Sequence, residues 1–233
     1  VSRLADSLPV HESAVEQRVV AEAPAVVRPA LRGTLHRASV PVAVALTAVL
    51  AARVDTAGRR AAVVVYGACV TAMLTVSGIY HARRLAHRER RLLRRLDHTM
   101  ILVAIAGTYT AVIVLALDGA TRVVLLCVAW ALALAGAVIR MCWLDAPSGL
   151  VALVYLVAGW QLLLAAPAYL DALDGAELVM LAVGGAAYTA GAVVYALHRP
   201  NPWPAVFGFH EVFHALVVLG AASHWVAVLL LSR

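Results

Sequence analysis

The chain has 233 residues, of which 63% are hydrophobic and 14% charged, against roughly 45–50% apolar residues in a soluble globular chain. That composition excludes a soluble fold. The formal net charge of +6 is carried by arginines flanking apolar runs, so membrane topology accounts for it and no nucleic-acid partner is expected.

The three cysteines, Cys69, Cys127 and Cys142, have no paired spacing, which argues against a disulfide framework. Residues 1–37 mix acidic and basic groups, lack the apolar core of a signal peptide and contain Pro9, Pro24 and Pro29. They read as a mostly disordered cytoplasmic arm, with 38–233 as the transmembrane domain. Seven apolar segments follow, at about 38–52, 61–80, 99–117, 123–139, 149–170, 178–197 and 206–231. Most approach the ~20 residues needed to cross ~30 Å of hydrocarbon as a helix. The first is the shortest, and it spans only if Arg37 and Arg53 snorkel to the interfaces. A six-span bundle is the alternative. The runs are continuously apolar, without the alternation of an outer-membrane barrel strand. The expected fold is therefore all-α, a seven-helix bundle in the plasma membrane. Pro167 lies near the end of the fifth span, where a break is cheap.

Short cytoplasmic loops carry the excess of positive charge. With seven spans and the N-terminus inside, 14 of the 19 arginines fall on the cytoplasmic side, including the seven between 83 and 95. The C-terminus is then external. The 83–95 run reads as a topology determinant in a solvated loop, with anionic lipid headgroups as the other reading.

Ionisable side chains inside spans are expensive and need a partner or a function. Here they converge at one end. His81 closes the second span, Asp97 and His98 open the third, and His210, Glu211 and His214 begin the seventh. His210 and His214 are four residues apart and share a helix face, as do Ser77 and His81. Two histidines at this spacing plus one from another helix form the three-ligand set of a catalytic zinc site, with water as fourth ligand. The bland alternative is a polar cluster satisfied by mutual hydrogen bonds. His98 is expected at the interface and Glu211 facing away from the histidine pair. His224, about 21 Å along the helix from His210, is too far to join them; an internal hydrogen bond is expected for it. Gly107, Gly136, Gly159, Gly184 and Gly185 read as close-packing positions between helices.

Several motifs occur in a characteristic order: RPALRGTLH at 28–36, SGIYH at 77–81, RLDH at 95–98, AGTYT at 106–110, RPNPWP at 199–204 and FGFHEVFH at 207–214. On these, the chain resembles the haemolysin III proteins, within the larger group of progestin and adiponectin receptors, over about residues 29–228. The resemblance implies a zinc ion held by His81, His210 and His214, with Asp97 reaching it through water and Ser77 beside it. Ala111 departs from the family's usual proline, which implies a straighter third span.

Such a site would have Asp97 as general base and Ser77 as a donor to water or a developing oxyanion, acting on an amide or ester of a membrane lipid. Two other readings stand beside it: a receptor-like or regulatory protein in which zinc braces the helices, and a pore-forming cytolysin. The sequence leaves the lipid and the oligomeric state open.

Overall fold

The structure, a computed structural model, describes residues 29–82 and 86–233. Most of the N-terminal arm and Arg83 and Arg84 lie outside the described residues. These residues form helices α1 (Thr34–Arg53), α2 (Ala57–Ala82), α3 (His87–Ala116), α4 (Gly119–Cys142), α5 (Ser148–Gly159), a short 3₁₀ turn (Gln161–Ala165), α6 (Ala166–Ala172), α7 (Gly175–Leu197) and α8 (Phe209–Leu231). Seven helical stretches are long and apolar enough to cross a bilayer, with α5 to α6 counting as one, and the chain is an integral membrane protein. Among the described residues the one β-type pairing is an isolated bridge between Trp203 and Phe207.

The first span is longer than its apolar core suggested. Its helix starts at Thr34, after Gly33 in the left-handed region at φ 76°. This turn is glycine's for two reasons: the conformation strains any L-residue, and a Cβ there would lie 2.9 Å from His81 Cβ. The third helix also starts early, at His87, so the arginines from Arg88 to Arg95 ride on a helix. That part of the run expected as a solvated loop is therefore helical. Glu89 accepts a bond from the backbone N–H of Ala86, and Glu177 and Glu211 do the same for Asp174 and Gly208 at the starts of α7 and α8.

The fifth span breaks earlier than Pro167 suggested. The α-helix ends at Gly159 and turns 3₁₀ from Gln161, while Pro167 sits in the first turn of α6. Backbone groups freed inside a membrane need partners. Tyr109 of α3 supplies them, donating its hydroxyl to Gly159 O at 2.6 Å and accepting from Leu162 N at 3.0 Å.

Neighbouring helices pack side by side: α1 on α2, α2 on α3, α3 on α4, and α7 on α8, which closes back on α1 and α3. Glycines set several of these contacts. A Cβ on Gly107 would lie 2.6 Å from Cys69 Cβ, and one on Gly136 2.6 Å from Leu102 Cδ1. Gly184 and Gly185 likewise face His224 and Trp160, but Gly159 has open space and marks the helix break instead. Other tight contacts were not anticipated, among them Gly67 against Thr47, Gly78 against Arg37 and Gly220 against Tyr188. The spans differ sharply in burial. Those of α2 and α3 are 56% and 44% buried and that of α8 39%, whereas those of α1, α4 and α7 reach 11% to 17%. The three buried helices form the axis of the bundle, and they carry every residue singled out for chemistry; the others turn aliphatic side chains such as Leu134 and Leu197 outward.

Candidate metal centre

His81, in the last turn of α2, meets His210 and His214, from the first two turns of α8. One ring nitrogen of each lies within 4.8 Å of the others. The tightest pair is His81 Nε2 and His210 Nε2, 3.1 Å apart. Asp97 Oδ2 lies 3.5 Å from the same His81 nitrogen, and Ser77 faces the Asp97 carboxylate from one turn below His81. The expected set of Ser77, His81, Asp97, His210 and His214 is therefore assembled in one place from α2, α3 and α8. His81 Nε2 carries one proton at most when neutral, yet it faces both an imidazole nitrogen and a carboxylate. A cation between the imidazoles uses all three lone pairs at once, so the trio can hold a metal ion.

The chain segment before α1 roofs this cluster. Ala30 and Leu31 donate their backbone N–H groups to Ala205 O and Val206 O, at 2.9 and 3.2 Å. Arg32 Nε lies 2.6 Å from Glu211 Oε1, whose side chain is 1% exposed. Glu211 thus points away from the histidine pair, as expected, and ties the start of α8 to the roof. Asn201 accepts from Phe209 N at 2.9 Å, so the RPNPWP segment also anchors the helix that bears two of the histidines.

His36 was missed. It is 2% exposed and stacks face to face on His214, with ring centroids 3.9 Å apart and planes 8° from parallel. This fixes the plane of the most buried ring of the trio. The signal lay within the 28–36 motif: a histidine three residues beyond a left-handed glycine. His98 also differs from expectation. It is half-buried in a cavity wall, where Arg140 donates to its Nδ1 and Tyr155 donates to its backbone carbonyl at 3.0 Å. His224 makes the expected internal bond, to Leu181 O at 3.3 Å, and packs over Gly184.

His36, Ser77, His81, Asp97, His98, Tyr155, His210, His214 and His224 line one cavity of about 450 Å³. Its polar end holds the histidine trio, Ser77 and Asp97. Beyond that its wall is mainly aliphatic and aromatic, from Ile101 and Ile105 to Leu178 and Leu181, where His224 lies. The 14-residue separation of His210 and His224 on α8 gives it a length of about 21 Å at 1.5 Å per residue.

Residues 25–225 match the haemolysin-III related family. The chain is 30% identical over 166 residues to a hemolysin-3 homolog of Bacillus subtilis (strain 168), covering 71% of this chain and 74% of that protein. It is 28% identical over 191 residues to hemolysin-3 of Bacillus cereus, covering 82% and 84%. A shorter stretch of 49 residues is 47% identical to heptahelical transmembrane protein ADIPOR2 of Oryza sativa subsp. japonica, covering 19% and 21%. No solved structure matches at a significant level. With seven spanning helices and a family match over most of its length, the chain is a member of the haemolysin-III related family, within the progestin and adiponectin receptor superfamily.

Proposed function

We propose that this protein is a zinc-dependent hydrolase acting inside the membrane on an amide or ester bond of a lipid. The observation that supports this reading best is the position of the histidine trio, Asp97 and Ser77 together at the polar end of a long, mainly apolar cavity. The donor set suits zinc. Tetrahedral zinc with Zn–N bonds of about 2.0–2.1 Å has ligand atoms about 3.3 Å apart, close to the 3.1 Å between His81 Nε2 and His210 Nε2. Three protein ligands leave a fourth position for water or substrate. When bound there, zinc would supply a Lewis acid that polarises a carbonyl and acidifies a coordinated water.

The chain's own residues do the rest. His81 and His210 orient the site from two helices, and the His36 stack holds His214 in plane. Asp97, buried and 3.5 Å from His81 Nε2, is placed to accept a proton from the attacking water and return it to the leaving group. The Ser77 hydroxyl orients the water or donates to the developing oxyanion. The apolar wall holds the lipid chain and excludes water from the reacting end. The arginine asymmetry favours an N-in, C-out topology, with this site toward the cytoplasmic leaflet.

A structural brace is the second reading, favoured by the fact that the trio ties α2 to α8. A pore needs a continuous polar path, and the largely aliphatic cavity wall counts against one. The test is turnover of a labelled panel of lipid amides and esters by purified protein, with metal content measured on the same sample. Chelator-sensitive hydrolysis at about one zinc per chain is expected. Bound zinc without turnover of any panel member supports the brace, and protein purified without chelator that carries no zinc ends both readings.

A further inference from the structure

Arg140 is the buried ionic group that the metal centre does not use. It stands in the last turn of α4 at 3% exposure. Its guanidinium donates to Trp143 O and Leu144 O, both at 3.1 Å, and to His98 Nδ1. Among the described residues Nε has no hydrogen-bond partner and no carboxylate pairs with the guanidinium. A buried guanidinium at the end of a membrane helix without a counter-charge is costly. The two carbonyls account for it as a helix C-cap. They do not account for the third bond.

That bond has a chemical consequence for His98. Arginine has five donors and no acceptor, so His98 Nδ1 must be the acceptor, and the proton of the neutral ring sits on Nε2. Among the described residues Nε2 makes no hydrogen bond, and the ring lines the cavity one residue past Asp97. Arg94 also lines the cavity, and among the described residues its ion-pair partner is Asp145, which is 81% exposed. The Arg94 guanidinium and a neutral N–H donor backed by Arg140 therefore stand near Asp97, the one carboxylate among the residues lining the cavity, which already has His81 and Ser77 beside it.

We propose that His98, held by Arg140 as an Nε2–H donor, forms with Arg94 a second polar pole of the cavity that binds an anionic oxygen at the head of a long-chain amphiphile. A carboxylate and a phosphate monoester share this chemistry, each offering an oxygen to the imidazole N–H and another to the Arg94 fork. His98 is then a recognition residue and Arg140 the positioning residue behind it. The inference rests on the cavity and its charges, so it stands or falls separately from hydrolysis.

The test uses the full chain in neutral-lipid nanodiscs, with and without chelator, and three probes of equal chain length: hexadecanoate, hexadecyl phosphate and hexadecanol. Wild type is expected to prefer at least one anionic probe over the alcohol by about tenfold or more, the scale of a charge-assisted bond, and to keep that preference after chelation. The favoured anionic probe identifies the head group as carboxylate or phosphate. His98→Leu should abolish the preference; His98→Gln, which restores an N–H donor, should retain it. Nitrogen-15 spectra at neutral pH should show His98 protonated on Nε2 in wild type and a mixture of tautomers in Arg140→Met. A preference unchanged in His98→Leu, one that vanishes with chelator, or a wild-type His98 protonated on Nδ1 would each overturn the proposal. The last readout needs no variant to fold.

Discussion

Asp97→Asn separates metal binding from catalysis. The substitution keeps the volume of a side chain that is 8% exposed and packed between α2 and α3, and it removes the charge 3.5 Å from His81 Nε2. A group supporting a metal site from outside its ligand set contributes about 10- to 100-fold in affinity. Tight zinc sites tolerate such a loss, so the purified variant should still carry close to one zinc per chain. Losing a general base lowers turnover by about 10²- to 10⁴-fold, or roughly 3–5 kcal/mol in barrier height. His214→Ala is the contrast. It removes a proposed metal ligand that is 2% exposed and leaves His36 stacked on nothing, so metal content and melting temperature should fall together. The assay pairs metal analysis with lipid hydrolysis on the same preparations. If Asp97→Asn loses zinc as completely as His214→Ala, Asp97 is a ligand or an essential support of the metal site and not the base. If it keeps both zinc and full turnover, the base assignment is refuted.

A reporter fused after Arg233 should be active only outside the cytoplasm, and cytoplasmic activity would contradict the N-in topology. Gly67→Ala should destabilise the contact of α1 with α2, because its Cβ would lie 2.0 Å from Thr47 Oγ1. Adding Thr47→Gly should recover most of the lost melting temperature, and simple additivity in that double-mutant cycle would rule out the contact. Arg32→Ala should cost about 3–5 kcal/mol, the scale for stranding one charge of a buried pair, since Glu211 is 1% exposed. Arg32→Met with Glu211→Gln should be milder than Arg32→Ala in thermal unfolding, and equal losses would show that the ion pair is not what holds the roof.

Composition and the lengths of the apolar runs determined by themselves that this is a helical membrane protein, because a polar backbone crossing hydrocarbon must satisfy itself within each helix. The few ionisable positions within the spans also picked out a cluster that the fold brings together. Charged and imidazole groups are so costly in a span that their few positions, with the i, i+4 pair His210 and His214, announce the functional end of the bundle. Helix boundaries were less legible. The helix that begins at His87 carries arginines that hydropathy assigns to a loop, and the fifth span breaks at Trp160, ahead of the proline in its sequence. Tertiary structure decided what depends on a partner far along the chain. Tyr109 makes the break tolerable by bonding two backbone groups about fifty residues away. His36 acquires a role only because Gly33 turns the chain over His81 and lays the imidazole on His214. His98 became a cavity donor because the packing of α3 against α4 places the Arg140 guanidinium behind it. Sequence periodicity places a side chain on a face of its own helix, and only packing determines what that face meets.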